Sequence, residues 1–438
     1  MRVAVKFQDM LVTFPSVLAL DEERAGNRIR QIAERTPRAE GTFTPYTRER
    51  IRGHLFQSNG EEILVIPKPT RLPLGLERVV VAPLSEEGEA VDLRNGVWIR
   101  HPAMAGGPRI FDYAREIEEV RRSWAGAFSY LKEDAARRII ALRNPQIGAI
   151  HAIHAHWSVS AEPATIVMPT GTGKTETMLS VLVSAPCEKL LVVVPTDALR
   201  TQLAEKFLTL GVLKEPDCRV LAPTARCPIV GVLQHIPRSV GEVDEVFGRC
   251  HVVVTTSSIA GQCSAEVRDR MAHLCTDLFI DEAHHAEAPT WSAFKEGFRA
   301  RKVLQFTATP FREDGRPLDG EIIFKYPLKK AQEEGYFKPI RFRPVVEFNP
   351  KRSDEKIAAQ AIAQLRADFD KGHILMARTE NVAHAKEVFK LYAMYPQFNP
   401  VQLHTGIKSA RQRETARRQI ISGESRIVVC VDMLYIRA

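Results

Sequence analysis

No two cysteines in this chain are spaced as C-x-x-C. The seven that are present, from Cys187 to Cys430, are scattered. That argues against a disulfide framework and against a zinc site, and for reduced thiols in a cytoplasmic protein. No stretch is long enough and apolar enough to span a membrane, so no membrane partner is expected. Low-complexity tracts and internal repeats at a fixed period are also missing. The N-terminal "MRVAVKFQDMLVTFPSVLAL" loosely imitates a secretory leader. Pro15 interrupts its apolar run and no small-x-small cleavage site follows, so strand-rich folded structure is the reading.

What is there is an ordinary globular composition. The chain has 438 residues, 45% hydrophobic and 26% charged, room for about three domains at ~150 residues each. A net charge of +8 and a pI near 9.1 fit a polyanionic partner. Up to about residue 108, short β-like runs ("RVAVKF", "EILVIP", "RVVVAPL", "NGVWI") alternate with Gly, Pro and Asn. From Ile110 to about Leu142 the apolar spacing predicts helix. Beyond Asn144, the runs "ATIVM", "LLVVVPT", "PIVGVLQ", "HVVVTTS", "DLFIDEA" and "VLQFTAT" alternate with helical stretches. That pattern predicts an α/β fold with a parallel sheet covered on both faces. A further α/β segment from near Arg341 has "HILMART", "PVQLHTG" and "RIVVCVDML" as its strands.

Two motifs carry chemistry. "MPTGTGKTET", Met168 to Thr177, stands between the strand "ATIVM" and a helical stretch. Glycines let backbone N–H groups close round phosphate oxygens, and a helix N-terminus adds partial positive charge. Thr170, Gly171, Thr172 and Gly173 form the loop, Lys174 would reach the β- and γ-phosphates of ATP, and Thr175 would ligate Mg2+. The first glycine of the usual spacing is replaced by Met168. About a hundred residues on, "LFIDEAHHAEAP" runs an apolar strand into Asp281 and Glu282. A carboxylate at the end of a buried strand is costly without a partner; Asp281 would help hold magnesium and Glu282 would orient and deprotonate a water. The histidines of "DEAHH" lack the H-E-x-x-H spacing of a zinc protease. His151, His154 and His156 of "HAIHAHW" have no nearby carboxylate or cysteine and read as helix-surface or packed histidines.

"PTGTGKT", "DEAH" and "TATP" (Thr307 to Pro310), in this order, resemble motifs I, II and III of the superfamily 2 DEAD/DEAH-box-like helicases and translocases. The connector "FREDGRPLDGEIIFKYPLKKAQEEGYFKPI" is similar to that of bacterial DNA-directed members such as the helicase subunits of type III restriction enzymes. The resemblance covers roughly residues 141 to 434. It implies two RecA-like P-loop domains, 141–335 and 336–438, after an accessory domain of unknown role (1–108) and a helical connector (109–140). "LRNPQIGAI" resembles the glutamine motif, with Gln146 toward adenine and Arg143 beside it. "VVVPTDALRTQ" and "VVVTTSSIA" resemble motifs Ia and Ib, which implies nucleic-acid contacts from Thr196, Arg200, Thr255 and Thr256. "ILMARTE" resembles motif IV and adds Arg378. Without the resemblance, the Ser/Thr positions read as turn and cap residues. The resemblance also implies that His284 links the magnesium site to Thr307 and Thr309.

"RIVVCVDML" heads into motif V, yet "YIRA" follows and motif VI is not reached. The expectation is therefore a second domain cut short. The leading function is an ATP-dependent DNA helicase or translocase that hydrolyses ATP, with a nuclease or methyltransferase subunit as a candidate partner. The alternative is a catalytically weak nucleotide- and nucleic-acid-binding fragment of a longer restriction or defence helicase. "DEAH" followed by "TATP" argues against a small-molecule kinase.

Overall fold

The computed structural model describes residues 7–34, 38–48, 51–70, 75–83, 90–104, 111–185, 187–215, 217–283, 294–298, 301–309, 320–338 and 341–431. It divides into two units, Met1–Lys338 and Pro339–Ala438.

The first unit opens with nine strands: β1 (Phe7–Thr13), β2 (Val17–Arg24), β3 (Asn27–Glu34), β4 (Arg38–Arg48), β5 (Ile51–Ser58), β6 (Glu61–Ile66), β7 (Val79–Val81), β8 (Ala90–Asp92) and β9 (Val97–Arg100). Seven of them form one sheet in the order β8-β1-β4-β5-β6-β7-β9. Val12, Phe14, Phe43, Phe56, Val65 and Trp98 close its core, and the Trp98 indole N–H donates to the Pro15 carbonyl at 2.8 Å.

Helices and parallel strands alternate after that. They are α1 (Tyr113–Trp124), α2 (Asn144–Val159), β10 (Ala164–Val167), α3 (Lys174–Ser184), β11 (Leu190–Val194), α4 (Asp197–Thr209), β12 (Val230–Val232), α5 (Val240–Phe247), β13 (Val252–Thr256), α6 (Ser257–Gln262), α7 (Ala265–Leu274), β14 (Asp277–Asp281), β15 (Lys302–Thr307), β16 (Glu321–Lys325) and α8 (Leu328–Glu333). Their strands lie in the order β16-β10-β15-β14-β11-β13-β12, every pair parallel. Successive side chains leave a strand on opposite faces, and here both faces are filled. Leu190, Val192, Val254, Phe279, Leu304 and Phe306 pack on one side with α2, α3 and α4. Leu191, Val193, Val253, Leu278, Ile280 and Val303 pack on the other with α5 and α7. This is the doubly covered parallel sheet that the apolar runs predict.

The sheet does not end at β12. The β2–β3 hairpin adds two more strands, β3 pairing antiparallel with β12 through Gly231 opposite Ile29. Side chains hold it there. Buried Asn27 accepts the Gln234 and His235 N–H groups at 2.7 and 3.1 Å, and Arg30 reaches Glu205 on α4 at 2.9 Å. So residues 17–34 belong structurally with the central sheet, while their neighbours in sequence form the seven-stranded one.

The stretch expected to be helical to about Leu142 is helical only as far as Trp124. Trp124 donates to the Arg226 carbonyl at 2.9 Å and stacks on His251, and Gly126 follows with φ +70°. From there residues 128 and 140 bridge to Leu221 and Cys218. Tertiary pairing overrides the local helical pattern here.

In the second unit, β17 (Leu375–Arg378), β18 (Val401–Leu403) and β19 (Ile427–Cys430) form a parallel sheet in the order β17-β19-β18. With them run α9 (Ser353–Ala367), α10 (Val382–Ala393) and α11 (Ala410–Ile421). Ile362, Leu365, Val388, Tyr392, Ile427 and Val429 form its main core. All seven cysteines are buried, and none is joined to another in a disulfide. Among the described residues no helix is long and apolar enough to cross a membrane.

Candidate nucleotide and nucleic-acid site

The glycine-threonine loop joins the C-terminal end of β10 to the start of α3. Two of its glycines take backbone conformations that L side chains rarely adopt, Gly171 at φ +85° and Gly173 at φ +94°. At Gly173 a Cβ would overlap the Gln146 side-chain nitrogen and stand 2.9 Å from its Cδ. The glycine is thus required twice, by dihedral and by packing. No side chain caps α3, so its first N–H groups, which lack helical partners, face the loop. Thr172 folds inward, its hydroxyl donating to the Pro169 carbonyl at 2.6 Å. Thr170 is exposed and Thr175 half-buried.

Lys174 and the Asp-Glu pair meet at this loop. Asp281 ends β14, two strands from β10. The Lys174 ammonium donates to the Glu282 carboxylate. Glu282 takes φ +49°, a left-handed backbone that costs a non-glycine residue about 1 kcal/mol, and its N–H donates to Asp281 Oδ1 at 3.1 Å. Asp281 is 7% exposed. Burial pushes its carboxyl up to about 6, against the opposing pull of Lys174 and with a further push from Glu282.

A folded-state value above the unfolded one means that the folded chain holds this proton more tightly. The stability it contributes is present at low pH and lost as pH rises through about 6. Asp281→Asn should therefore raise the thermal midpoint of the nucleotide-free protein at pH 7.5, and the gain should shrink at pH 5. Calorimetry at the two pH values checks this, and a lower midpoint at pH 7.5 would contradict it. A buried carboxylate with that deficit, beside a lysine and a half-buried threonine hydroxyl, suits a magnesium–triphosphate. The donor set fits the group.

Arg143 and Gln146 lie against the same loop. Gln146 is buried and accepts the Arg143 N–H at 2.7 Å, while its own N–H donates to the Arg143 carbonyl at 3.0 Å. Arg143 Nη1 donates to the Gly171 carbonyl at 2.9 Å. On the other side of the loop the Met168 N–H donates to the Thr307 carbonyl at 2.9 Å. Thr307 is buried, and its hydroxyl bonds the Thr309 backbone at 2.8 and 3.1 Å. The loop is thereby tied to β15 and to Thr309. His284 lies outside the described residues.

The expected nucleic-acid contacts are distributed differently. Thr196 is exposed and caps α4. Arg200 is nearly buried, pairs with Asp197 at 2.7 Å, and keeps a buried Nε without a partner. Thr256 is buried and caps α6. Thr255 is fully buried, and its hydroxyl has no partner. Arg378 ends β17 of the second unit with its side chain exposed. The three histidines of α2 all have packing partners. His151 stacks on Tyr130, His154 bonds the Ser184 hydroxyl at 3.0 Å, and His156 bonds the Glu162 carbonyl at 2.8 Å.

Sequence reasoning missed a group at the far end of the unit. Tyr336 lies under the Arg143 guanidinium, 5.4 Å from carbon to ring centroid. Its hydroxyl receives the Asn144 N–H at 3.4 Å. Burial and a bond to Glu133 push that hydroxyl up to about 12. Glu334 accepts from Asn144 at 3.1 Å and from Tyr326. These residues stand about 190 positions from Arg143 and Asn144, so no local pattern announces them.

A strand–loop–helix unit with left-handed glycines, joined across a parallel sheet to a buried aspartate and a half-buried glutamate, defines an α/β domain of the P-loop kind. Residues 139–312, about two fifths of the chain, match the family described as "Type III restriction enzyme, res subunit". That match supports a helicase-like reading of this stretch. None of the curated proteins matches it. Among solved structures it is similar to T4 UvsW, at 16% identity and a TM-score of 0.31, over 71% of this chain and 61% of that one. It is also similar to the Hef helicase domain of Pyrococcus furiosus, at 14% identity and a TM-score of 0.38, over 64% of this chain and 85% of that one. The chain thus spans less than two thirds of the length of T4 UvsW.

Proposed function

We propose that this chain binds and hydrolyses ATP and couples that cycle to contact with, and movement on, nucleic acid, with DNA as the expected polyanion. The observation that carries the reading is the meeting of Lys174 with Glu282, beside the buried Asp281, at a loop whose glycines adopt left-handed conformations. In this reading Lys174 holds the β- and γ-phosphate oxygens, together with the backbone N–H groups of the loop and of α3. Thr175 and Asp281 hold magnesium, which when bound supplies positive charge to the phosphate oxygens. Glu282 orients a water and takes its proton on the carboxylate. Gln146 and Arg143 face the base. Thr307 and Thr309 transmit the state of the loop along β15, supported by the Met168–Thr307 backbone bond.

For nucleic acid, exposed Thr196 of the first unit suits a direct phosphate contact, supported by the N-terminus of α4 that it caps, and exposed Arg378 of the second unit suits another. Arg200, Thr255 and Thr256, being buried, would act by shaping the first unit's surface around Thr196. The family match makes a nuclease or methyltransferase subunit a candidate partner.

Binding should be phosphate-dominated and indifferent to sequence. If about five phosphates are engaged, affinity for a single-stranded oligonucleotide should fall roughly a hundredfold between ~50 and ~200 mM salt. Fluorescence anisotropy at the two concentrations, with ATP turnover followed with and without the oligonucleotide, tests this. A flat salt response, or turnover indifferent to DNA, would remove nucleic acid from the reading.

A further inference from the structure

The Arg143 guanidinium is fixed on several sides. Nη1 donates to the Gly171 carbonyl of the phosphate loop at 2.9 Å, Nε lies 3.6 Å from Glu133, and one face rests on the Tyr336 ring. The arginine side chain still keeps 39% of its surface open. The residues beneath it are tied in turn. Tyr336 packs on the main core cluster, and Asn144 and Tyr326 both bond Glu334, just after α8.

A guanidinium is planar and weakly hydrated on its faces, so it stacks on flat aromatic groups. With Tyr336 covering one face and the edges tied to Gly171 and Glu133, the plane is set and the other face is what it can offer. The flat group within reach of a loop that cradles phosphates is a nucleobase. Gln146, packed against Gly173, supplies a hydrogen-bonding edge nearby. We propose that Tyr336 is a positioning residue that holds Arg143 flat, making the guanidinium a stacking shelf for the base of the bound nucleotide. The proposal rests on the nucleotide-binding reading above.

The test separates base from phosphates. ATP and inorganic tripolyphosphate are titrated calorimetrically into the wild type, Tyr336→Ala and Tyr336→Phe, with magnesium present. Tyr336→Ala should weaken ATP about tenfold, the size of a partly desolvated cation–π contact, and leave tripolyphosphate within about twofold. Tyr336→Phe keeps the ring and should bind both as the wild type does. Arg143→Lys keeps the charge without the plane and should repeat the ATP-selective loss, which covers the case of a Tyr336→Ala chain that does not fold. ATP affinity unchanged in Tyr336→Ala or in Arg143→Lys overturns the proposal, and so does an equal loss of tripolyphosphate, which would mean that Tyr336 only shapes the loop. If the wild type binds tripolyphosphate and ATP with Lys174-dependent affinity while these variants show no selectivity, only the shelf fails. If the wild type binds neither, the nucleotide reading falls and the shelf with it.

Discussion

Lys174→Ala should cost this chain roughly 10²–10³ in affinity for ATP·Mg, about 3–4 kcal/mol, the range for breaking a buried, hydrogen-bonded charge pair. Lys174 is 9% exposed, and its ammonium is already committed to Glu282. Phosphate oxygens entering the loop would take over that charge in a place where little water competes. Alanine offers them only the backbone N–H groups. The substitution also leaves Glu282 and Asp281 without their nearest cation, so the Asp281 carboxyl, raised to about 6 with Lys174 present, should climb further. A titration with a fluorescent ATP analogue reads the affinity. Equal affinity for the two proteins would sink Lys174 as a phosphate ligand.

Glu282→Gln should lower ATP hydrolysis by about 10²–10⁴, the usual loss on removing a general base, while nucleotide affinity holds or tightens. The second half follows from the ion pair. One donor of the Lys174 ammonium goes to Glu282, whose negative charge competes with incoming phosphates for that cation. A neutral glutamine competes less for the ammonium, and it can keep the backbone bond to Asp281. Single-turnover hydrolysis and an equilibrium titration on the same preparation read the two effects apart. Turnover equal to the wild type would show that Glu282 is not the base. Affinity that fell together with turnover would show that the Lys174–Glu282 pair holds the loop in shape.

The sequence announces the parts of this protein whose cause is local. "ATIVM", "LLVVVPT", "HVVVTTS", "DLFIDEA" and "VLQFTAT" became β10, β11, β13, β14 and β15, because an apolar run of strand length has to be buried on both faces. Gly173 and Lys174 fall between β10 and α3 for an equally local reason. Hidden were the features made by residues far apart. Nothing in "NRIRQIAE" says that it pairs with Val230–Val232 rather than with the strands around it. Nothing in the connector marks Tyr336 as lying under Arg143. The burial of Thr255 was open as well: "VVVTTS" does not say where the strand stops, and the structure carries β13 through Thr256 before α6 begins.

The junction of β3 with β12 has a consequence for how the chain is made. Gly231 sits opposite Ile29, so the hairpin leaves the ribosome roughly two hundred residues ahead of the strand it must join. At ~5–20 residues per second, that is about 10–40 seconds in which the outer edge of β3, including Ile29, fully buried in the finished protein, lacks its β12 partner. Early residues therefore wait on late ones. Arrest of synthesis anywhere before Val230 leaves an open sheet edge on the nascent chain.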